Sequence, residues 1–376
     1  MSKEKYFIFG YFGWKNVGDD AMLNALLQEI HSCNPEAKFA VLSRMPVVIP
    51  SQVHARTTFV KPSPFAVFWW VLKSTDVIVS GGTWIHDYGK RLTNIRTLIM
   101  VFIFAFFVKV SMKKLYFIGH GVGPLTTLWG KFLTRMTYKM GDYISTRDTS
   151  AYKILTLWNF KDKTTLGFDL SALLKSNETT SPLLGKNKEN ISILGISVTP
   201  VFEIYRNRVD LDVLMIEKIA EPINEWLERE STAEVHLIVF KGKSKDDDVT
   251  ITKLLEEHLH PAERVKLIDY DPDPKKMLAA VGHCSLFLGS KYHSCLFAYI
   301  SNLPLVIIDY HPKCRVLAKD IGLPDHAVIS LNEVLTGQFR SNFENLVNSP
   351  ADYIATLPID TARQRARENI NRANLC

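Results

Sequence analysis

The sequence is poor in cysteine and has no pair of them at ligand spacing. Its five cysteines (Cys33, Cys284, Cys295, Cys314 and Cys376) are odd in number, scattered and free of any C-x-x-C. That pattern argues against both a zinc and a disulfide framework, and leads to the expectation of reduced thiols in a cytoplasmic setting. No arginine-rich arm, zinc-finger spacing or RNA-binding aromatic motif occurs, so nucleic acid is not an expected partner. No apolar run approaches the ~20 residues that a bilayer span requires. The chain passes from Met-Ser-Lys-Glu-Lys into Tyr6-Phe7-Ile8-Phe9, an apolar run too short for the core of a signal peptide, and none is expected. No ligand cluster calls for a metal, and no cofactor is expected.

What is present is ordinary for a globular protein: 376 residues, 47% hydrophobic and 22% charged, with a formal net charge of +6. At roughly 150 residues per domain the length accommodates two. The modest positive charge suits an anionic small molecule or an anionic membrane surface.

Short apolar runs followed by polar, glycine-rich turns recur along the chain. Ser285-Leu286-Phe287-Leu288 runs into Gly289-Ser290-Lys291-Tyr292-His293, then an apolar helical pattern, a stop at Asn302-Leu303-Pro304 and a second run, Leu305 to Ile308. This is a βαβ unit with a cation and an imidazole at the carboxyl end of its first strand, where open α/β sheets bind ligands. Similar punctuation follows Tyr6–Phe9, Asp76–Val79, Leu115–Ile118, Asp142–Ser145 and Thr164–Leu166. A second series comprises Ile191–Val198, Val235–Val239 and Val265–Ile268. The polar stretch 175–190 between the two series reads as a linker. The expected architecture is α/β, with two Rossmann-like domains facing a central cleft, 1–178 and 188–376, the last helical segment packing back on the first domain.

Gly10 to Ala21 is a strand–glycine turn–helix transition, yet it is neither G-x-G-x-x-G nor a P-loop. Asp19 and Asp20 suit the first helical turn, where acids complement the dipole. Two carboxylates repel a phosphate, so this loop is expected to bind a sugar hydroxyl or to shape the site. Asp246-Asp247-Asp248 precedes a helical run and is expected to cap it.

Six segments together resemble one family, the polysaccharide pyruvyltransferases, whose two-domain fold is similar to that of B-type glycosyltransferases. They are GYFGWKNVGDDAML (Gly10 to Leu23), SGGTWIHD (Ser80 to Asp87), GHGVGPL (Gly119 to Leu125), STRDTSA (Ser145 to Ala151), GFDLSALL (Gly167 to Leu174) and GSKYHSCLFAYISNLP (Gly289 to Pro304). Tyr310-His311-Pro312-Lys313 follows the last of them. The chain departs from the family pattern at Thr83 (glycine), His120 (glutamine), Lys291 (arginine) and Phe168-Asp169 (near an Asp-Pro pair). An ammonium at position 291 keeps the charge of arginine and loses its planar fork.

The resemblance implies transfer of a pyruvyl group from phosphoenolpyruvate to two hydroxyls of a sugar, in a polysaccharide or a lipid-linked oligosaccharide, with release of phosphate. Under it His293 is the proton shuttle, and Arg147 and Lys291 clamp the anionic donor. Gly13, Asn16, Asp19, Asp20, Gly81, Gly82, Asp87, His120, Gly121 and Lys313 are the expected substrate-binding positions, with His86 in the same set of loops. For Asp87 an acceptor-orienting role and a capping role both stand. A nucleotide-sugar glycosyltransferase of the same architecture and a non-catalytic module with a decayed site are the alternatives.

Phe65 to Leu72 and Leu98 to Val108 read as helices packed on the first sheet. They also stand among basic residues: Lys73, Lys90, Arg91, Arg96, Lys109, Lys113, Lys114, Lys131 and Arg135. A basic, aromatic-rich face of this kind suits peripheral contact with an anionic leaflet.

Overall fold

The computed structural model describes residues 4–83, 85–87, 91–175, 192–244 and 247–375, the side chains of 91–93 excepted. The expected linker beyond residue 175, Trp84, Lys90, Asp246 and Cys376 lie outside the described residues. The chain divides into two compact units, Met1–Leu174 with Asp360–Cys376, and Lys175–Ile359.

In the first unit the order is β1 (Lys5–Phe12), α1 (Val17–Cys33), β2 (Lys38–Ser43), α2 (Ser51–His54), β3 (Thr57–Val60) and α3 (Pro64–Lys73). It continues with β4 (Asp76–Ser80), α4 (Arg91–Val110), β5 (Lys114–His120), α5 (Leu128–Met140), β6 (Tyr143–Thr146), α6 (Thr149–Leu157) and β7 (Thr164–Leu166). The strands form a parallel sheet in the order β3-β2-β1-β4-β5-β6-β7. Its central strands are covered on both faces, which is why they read as unbroken apolar runs rather than alternating ones. Phe7, Val77, Val79, Leu115, Phe117 and Ile144 join the inner sides of α3 to α6 in a single core cluster. Burying each such side chain contributes roughly 1.5–3 kcal/mol.

The second unit runs β8 (Ile193–Ser197), α7 (Val201–Arg206), α8 (Val209–Arg229), β9 (Glu234–Ile238), α9 (Val249–His258), β10 (Val265–Ile268) and α10 (Pro274–Gly282). Then come β11 (Leu286–Gly289), α11 (Tyr292–Ile300), β12 (Leu305–Asp309), α12 (Pro312–Ile321), β13 (Val328–Ser330), α13 (Leu331–Leu335) and α14 (Phe339–Asn348). Its sheet, also parallel, has the order β10-β9-β8-β11-β12-β13. The chain then re-enters the first unit through α15 (Ile359–Asn371). There Asn369 Nδ2 donates to the Phe168 carbonyl at 2.7 Å and Tyr143 Oη donates to that of Glu368 at 3.3 Å.

The strand order of each sheet reverses once, between β1 and β4 in the first unit and between β8 and β11 in the second. At such a point the loops leaving the two neighbouring strands diverge to opposite faces and open a crevice at their carboxyl ends. Each unit therefore has one position set by topology for a ligand. Cys284, Cys295 and Cys314 are free and buried.

Candidate functional site

In the first unit the loops at the β1/β4 switch are tied together by Asp19. One carboxylate oxygen accepts the Gly82 N–H at 3.2 Å and the other accepts Asn16 Nδ2. Asp20 accepts the Gly13 N–H at 2.9 Å. Gly13 has φ +71°, and a Cβ there would run into the Ser43 hydroxyl and the Met45 backbone, so only glycine suits the turn. Asp19 and Asp20 thus stand in the first turn of α1, but their carboxylates shape the glycine loops and are both buried. Burial, with the neighbouring Asp19 charge adding to it against the Gly13 hydrogen bond, pushes the Asp20 carboxyl up to about 7.

Arg147, leaving β6, is the second hub. Its Nη1 donates to Asp169 at 3.0 Å and its Nη2 to the Thr83 hydroxyl at 2.6 Å, while Nε lies 3.8 Å from Asp148. The side chain is 2% exposed and that of Asp169 is fully buried. Asp169 also accepts the N–H and the hydroxyl of Ser171. Gly121 lies against this group: a Cβ would strike the Thr83 hydroxyl and stand 3.1 Å from Arg147 Nε. Gly82 is equally close, with Asp19 at 3.2 Å and Arg147 at 3.4 Å from a Cβ. Gly13, Asn16, Asp19, Asp20, Gly82, Gly121 and Arg147 are therefore brought into one polar cluster, with Gly81 (φ +107°) in the same β4 loop.

Two expected substrate contacts in this unit are held within it. His120 is fully buried, its Nε2 is 3.0 Å from the Val79 carbonyl, and burial pushes its pKa down to about 3. The ring packs edge-on against Phe117 within the sheet core. Asp87 accepts the backbone N–H groups of Thr126 at 2.5 Å and Thr127 at 2.7 Å, together with both hydroxyls. Burial works against its charge, but these bonds outweigh it and hold the carboxyl below the usual range. These bonds tie Asp87 to the Thr126–Thr127 segment that leads into α5, whose N-cap is Thr127.

In the second unit Asp248 occupies the switch between β8 and β11. Its two oxygens lie 2.7 and 2.6 Å from Lys291 Nζ. They also accept the Thr199 hydroxyl at 2.8 Å and the Lys241 N–H at 2.8 Å. The expected capping of α9 falls instead to Asp247, which accepts the Val249 N–H at 3.0 Å. His293 is in the first turn of α11, two residues beyond Lys291, 7% exposed and edge-on to Tyr292 at 5.1 Å. Across β12, His311 is the N-cap of α12 and its Nδ1 accepts the Lys313 N–H at 3.2 Å. Lys313 Nζ stands 5.4 Å over the Tyr310 ring. Two helix N-termini, two lysines and two imidazoles thus gather at the carboxyl ends of β11 and β12, a setting that favours an anion.

Sequence reasoning did not single out Thr83, Asp169, Thr199 or His311 as contributors, although all but Thr199 lie in the family-like segments. It also passed over a stack in which the Tyr11 and Trp14 rings lie 5.1 Å apart and the Arg44 guanidinium covers Trp14 at 4.5 Å.

Two parallel-sheet α/β units, each with polar loops at its switch point, make up a fold that solved structures share along nearly their whole length. The chain is similar to UDP-GlcNAc 2-epimerase from Neisseria meningitidis bound to UDP-GlcNAc, with TM-score 0.64 and 13% identity, covering 99% of each chain. The corresponding enzyme from Methanocaldococcus jannaschii gives TM-score 0.64 and 12% identity, covering 98% of this chain and 99% of that one. The lipopolysaccharide outer core galactosyltransferase WaaB gives 0.53 and 11%, covering 98% of both. At these identities the likeness is one of fold. The polysaccharide pyruvyl transferase family model matches residues 16–312, and the chain belongs to that family.

Proposed function

We propose that the protein moves the pyruvyl group of phosphoenolpyruvate onto two hydroxyls of a sugar, in a polysaccharide or lipid-linked oligosaccharide, forming a cyclic ketal and releasing phosphate. The observation that carries this reading is family membership over residues 16–312, combined with the pairing of Lys291 and His293 at the start of α11.

The chemistry sets what is needed. Protonation of the enol carbon C3 turns the methylene into a methyl group and makes C2 electrophilic. One sugar hydroxyl adds to C2 and loses its proton. The C2–O bond to phosphate then breaks, the second hydroxyl adds, and its proton is taken up, so that one proton ends on the methyl group and one on phosphate. A group able to give and take protons near neutrality serves these steps, and His293 has the side chain suited to it. The donor carries a carboxylate and a phosphate. The N-termini of α11 and α12, with Lys291 and Lys313, supply positive potential for them. Asp248 takes up part of the Lys291 charge, so in this reading the lysine orients rather than neutralises.

In the first unit the reading assigns acceptor binding to the loops of Gly13, Asn16, Gly81, Gly82 and Gly121. Their geometry rests on Asp19, Asp20 and Arg147. The test is phosphate release from phosphoenolpyruvate with lipid-linked and soluble oligosaccharide acceptors, in wild type and His293→Ala. Acceptor-dependent release that is lost in the variant is the expected result. Consumption of a nucleotide sugar with no release overturns it.

A further inference from the structure

The outward side of α3, α4 and α5 is apolar where a water-facing helix is ordinarily polar. On α3 the exposed residues are Phe65 (74%), Phe68, Trp69 and Leu72, at helical spacing along one face. On α4 they are Ile99, Met100, Ile103, Phe106 and Val110, and on α5 Leu128 (84%), Trp129 (70%) and Phe132. The inner sides of the same helices are buried in the core of the first unit, through Val71, Val101, Ala105, Val108 and Tyr138. A helix that is apolar all round is found buried or in contact with lipid, and α4 is apolar all round with one side open. The three helices form one surface. They pack on the same core cluster, Phe68 of α3 stacks on Phe107 of α4 at 5.1 Å, and α4 packs along α5.

The charge on this surface is mostly positive, although Lys109 of α4 pairs with Asp142 at 2.8 Å. Residues 88–141 contain nine lysines and arginines and no aspartate or glutamate. Arg96, Lys131 and Arg135 share the exposed faces of α4 and α5 with the apolar residues and form no ion pair among the described residues. Lys73 Nζ lies 4.3 Å over the Trp69 ring, its stem laid along the apolar face. No helix among the described residues is long and apolar enough to cross a membrane. Trp and Phe flanked by unpaired cations are the composition of a surface that rests in the headgroup region of an anionic leaflet. A second copy of the chain would set cation against cation on such a face, so charge complementarity favours lipid over self-association.

We infer that the α3–α4–α5 face is a monotopic membrane-docking surface that seats the first unit on an anionic bilayer, through inserted aromatic and aliphatic side chains and basic residues at the phosphates. The inference is independent of the reaction proposed above, because its readout is lipid binding alone. The test is flotation of the full chain with vesicles of phosphatidylcholine, or of phosphatidylcholine mixed with phosphatidylglycerol, at low and high salt. Two variants accompany it, Trp129→Ser with Phe132→Ser, and Lys131→Glu with Arg135→Glu. All four residues are exposed, so both variants are expected to melt as wild type does. Co-flotation with the anionic vesicles, weakened by salt and reduced at least about tenfold in either variant, is the expected result. Wild-type protein that stays unbound at low salt overturns the inference. So does binding that both variants keep, or a lipid-independent dimer, seen by light scattering, that the same substitutions dissolve.

Discussion

The ammonium of Lys291 and the carboxylate of Asp248 form a two-point ion pair, at 2.7 and 2.6 Å, with Asp248 fully buried and Lys291 nearly so. The pair joins the loop after β11 to the start of α9, 43 residues earlier in the chain, and Thr199 completes it from beyond β8. The switch point of the second sheet is therefore closed by charge rather than by apolar packing.

Removing one partner of such a pair leaves the other charge buried without compensation. Asp248→Ala is expected to cost about 3–5 kcal/mol in chemical denaturation. Lys291→Arg keeps a cation opposite Asp248 and is expected to stay within about 1.5 kcal/mol of wild type. A loss below about 1 kcal/mol in Asp248→Ala would show that the pair does not hold the loop.

Arg147 uses its planar fork to reach Asp169 with one nitrogen and Thr83 with another. A lysine carries the charge but cannot span both. Arg147→Lys is expected to lose about 1–3 kcal/mol, and Arg147→Met more, because Asp169 then remains as a buried carboxylate. Equal stability of the two variants would contradict this account.

Asp20 sets a pH dependence whose sign follows from burial. Its carboxyl titrates at about 7 in the folded protein against an ordinary value of 3.8. Below the ordinary value both states hold the proton and nothing is lost. As pH rises towards about 7 the unfolded chain releases its proton first, and stability falls. Asp20→Asn keeps an acceptor for Gly13 without the charge. Its melting temperature relative to wild type should therefore rise between about pH 4 and pH 7 and level off above, a tenfold change in proton affinity corresponding to about 1.4 kcal/mol. A difference that is flat across that range would falsify the assignment.

His293 is the group on which the proposed chemistry turns. His293→Asn is expected to lower acceptor-dependent phosphate release by about 10²–10⁴ while the thermal melt stays close to that of wild type. A variant that retains release, or that loses it only by unfolding, removes the histidine from the reaction.

Much of the fold is legible in the chain itself. Strands buried on both faces need continuous apolar runs, and the turns after them need glycine, so Tyr6–Phe9, Asp76–Val79, Leu115–Ile118 and Leu305–Ile308 stand out by composition. The short edge strands β3 and β13 do not. Thr57–Val60 is a four-residue strand at the sheet edge with polar residues in half its positions, and Val328–Ser330 has only three residues. Such segments become strands through pairing with a neighbour rather than through pattern.

The sequence by itself determined the alternation of strand and helix, the polar loops, and the chemical types gathered in them: His293 and Lys291 in one turn, Arg147 in another, two carboxylates beside Gly18. Tertiary structure alone decided what each of these groups faces. A parallel sheet separates neighbouring strands by a crossover of dozens of residues, so Gly82 meets Asp19, Arg147 meets Asp169 and Lys291 meets Asp248 only when the strands align. It likewise turned His120 into the core and left Ile103 and Phe106 outside it. Hydropathy records how apolar a helix is, whereas the side that stays uncovered depends on which neighbours pack against it.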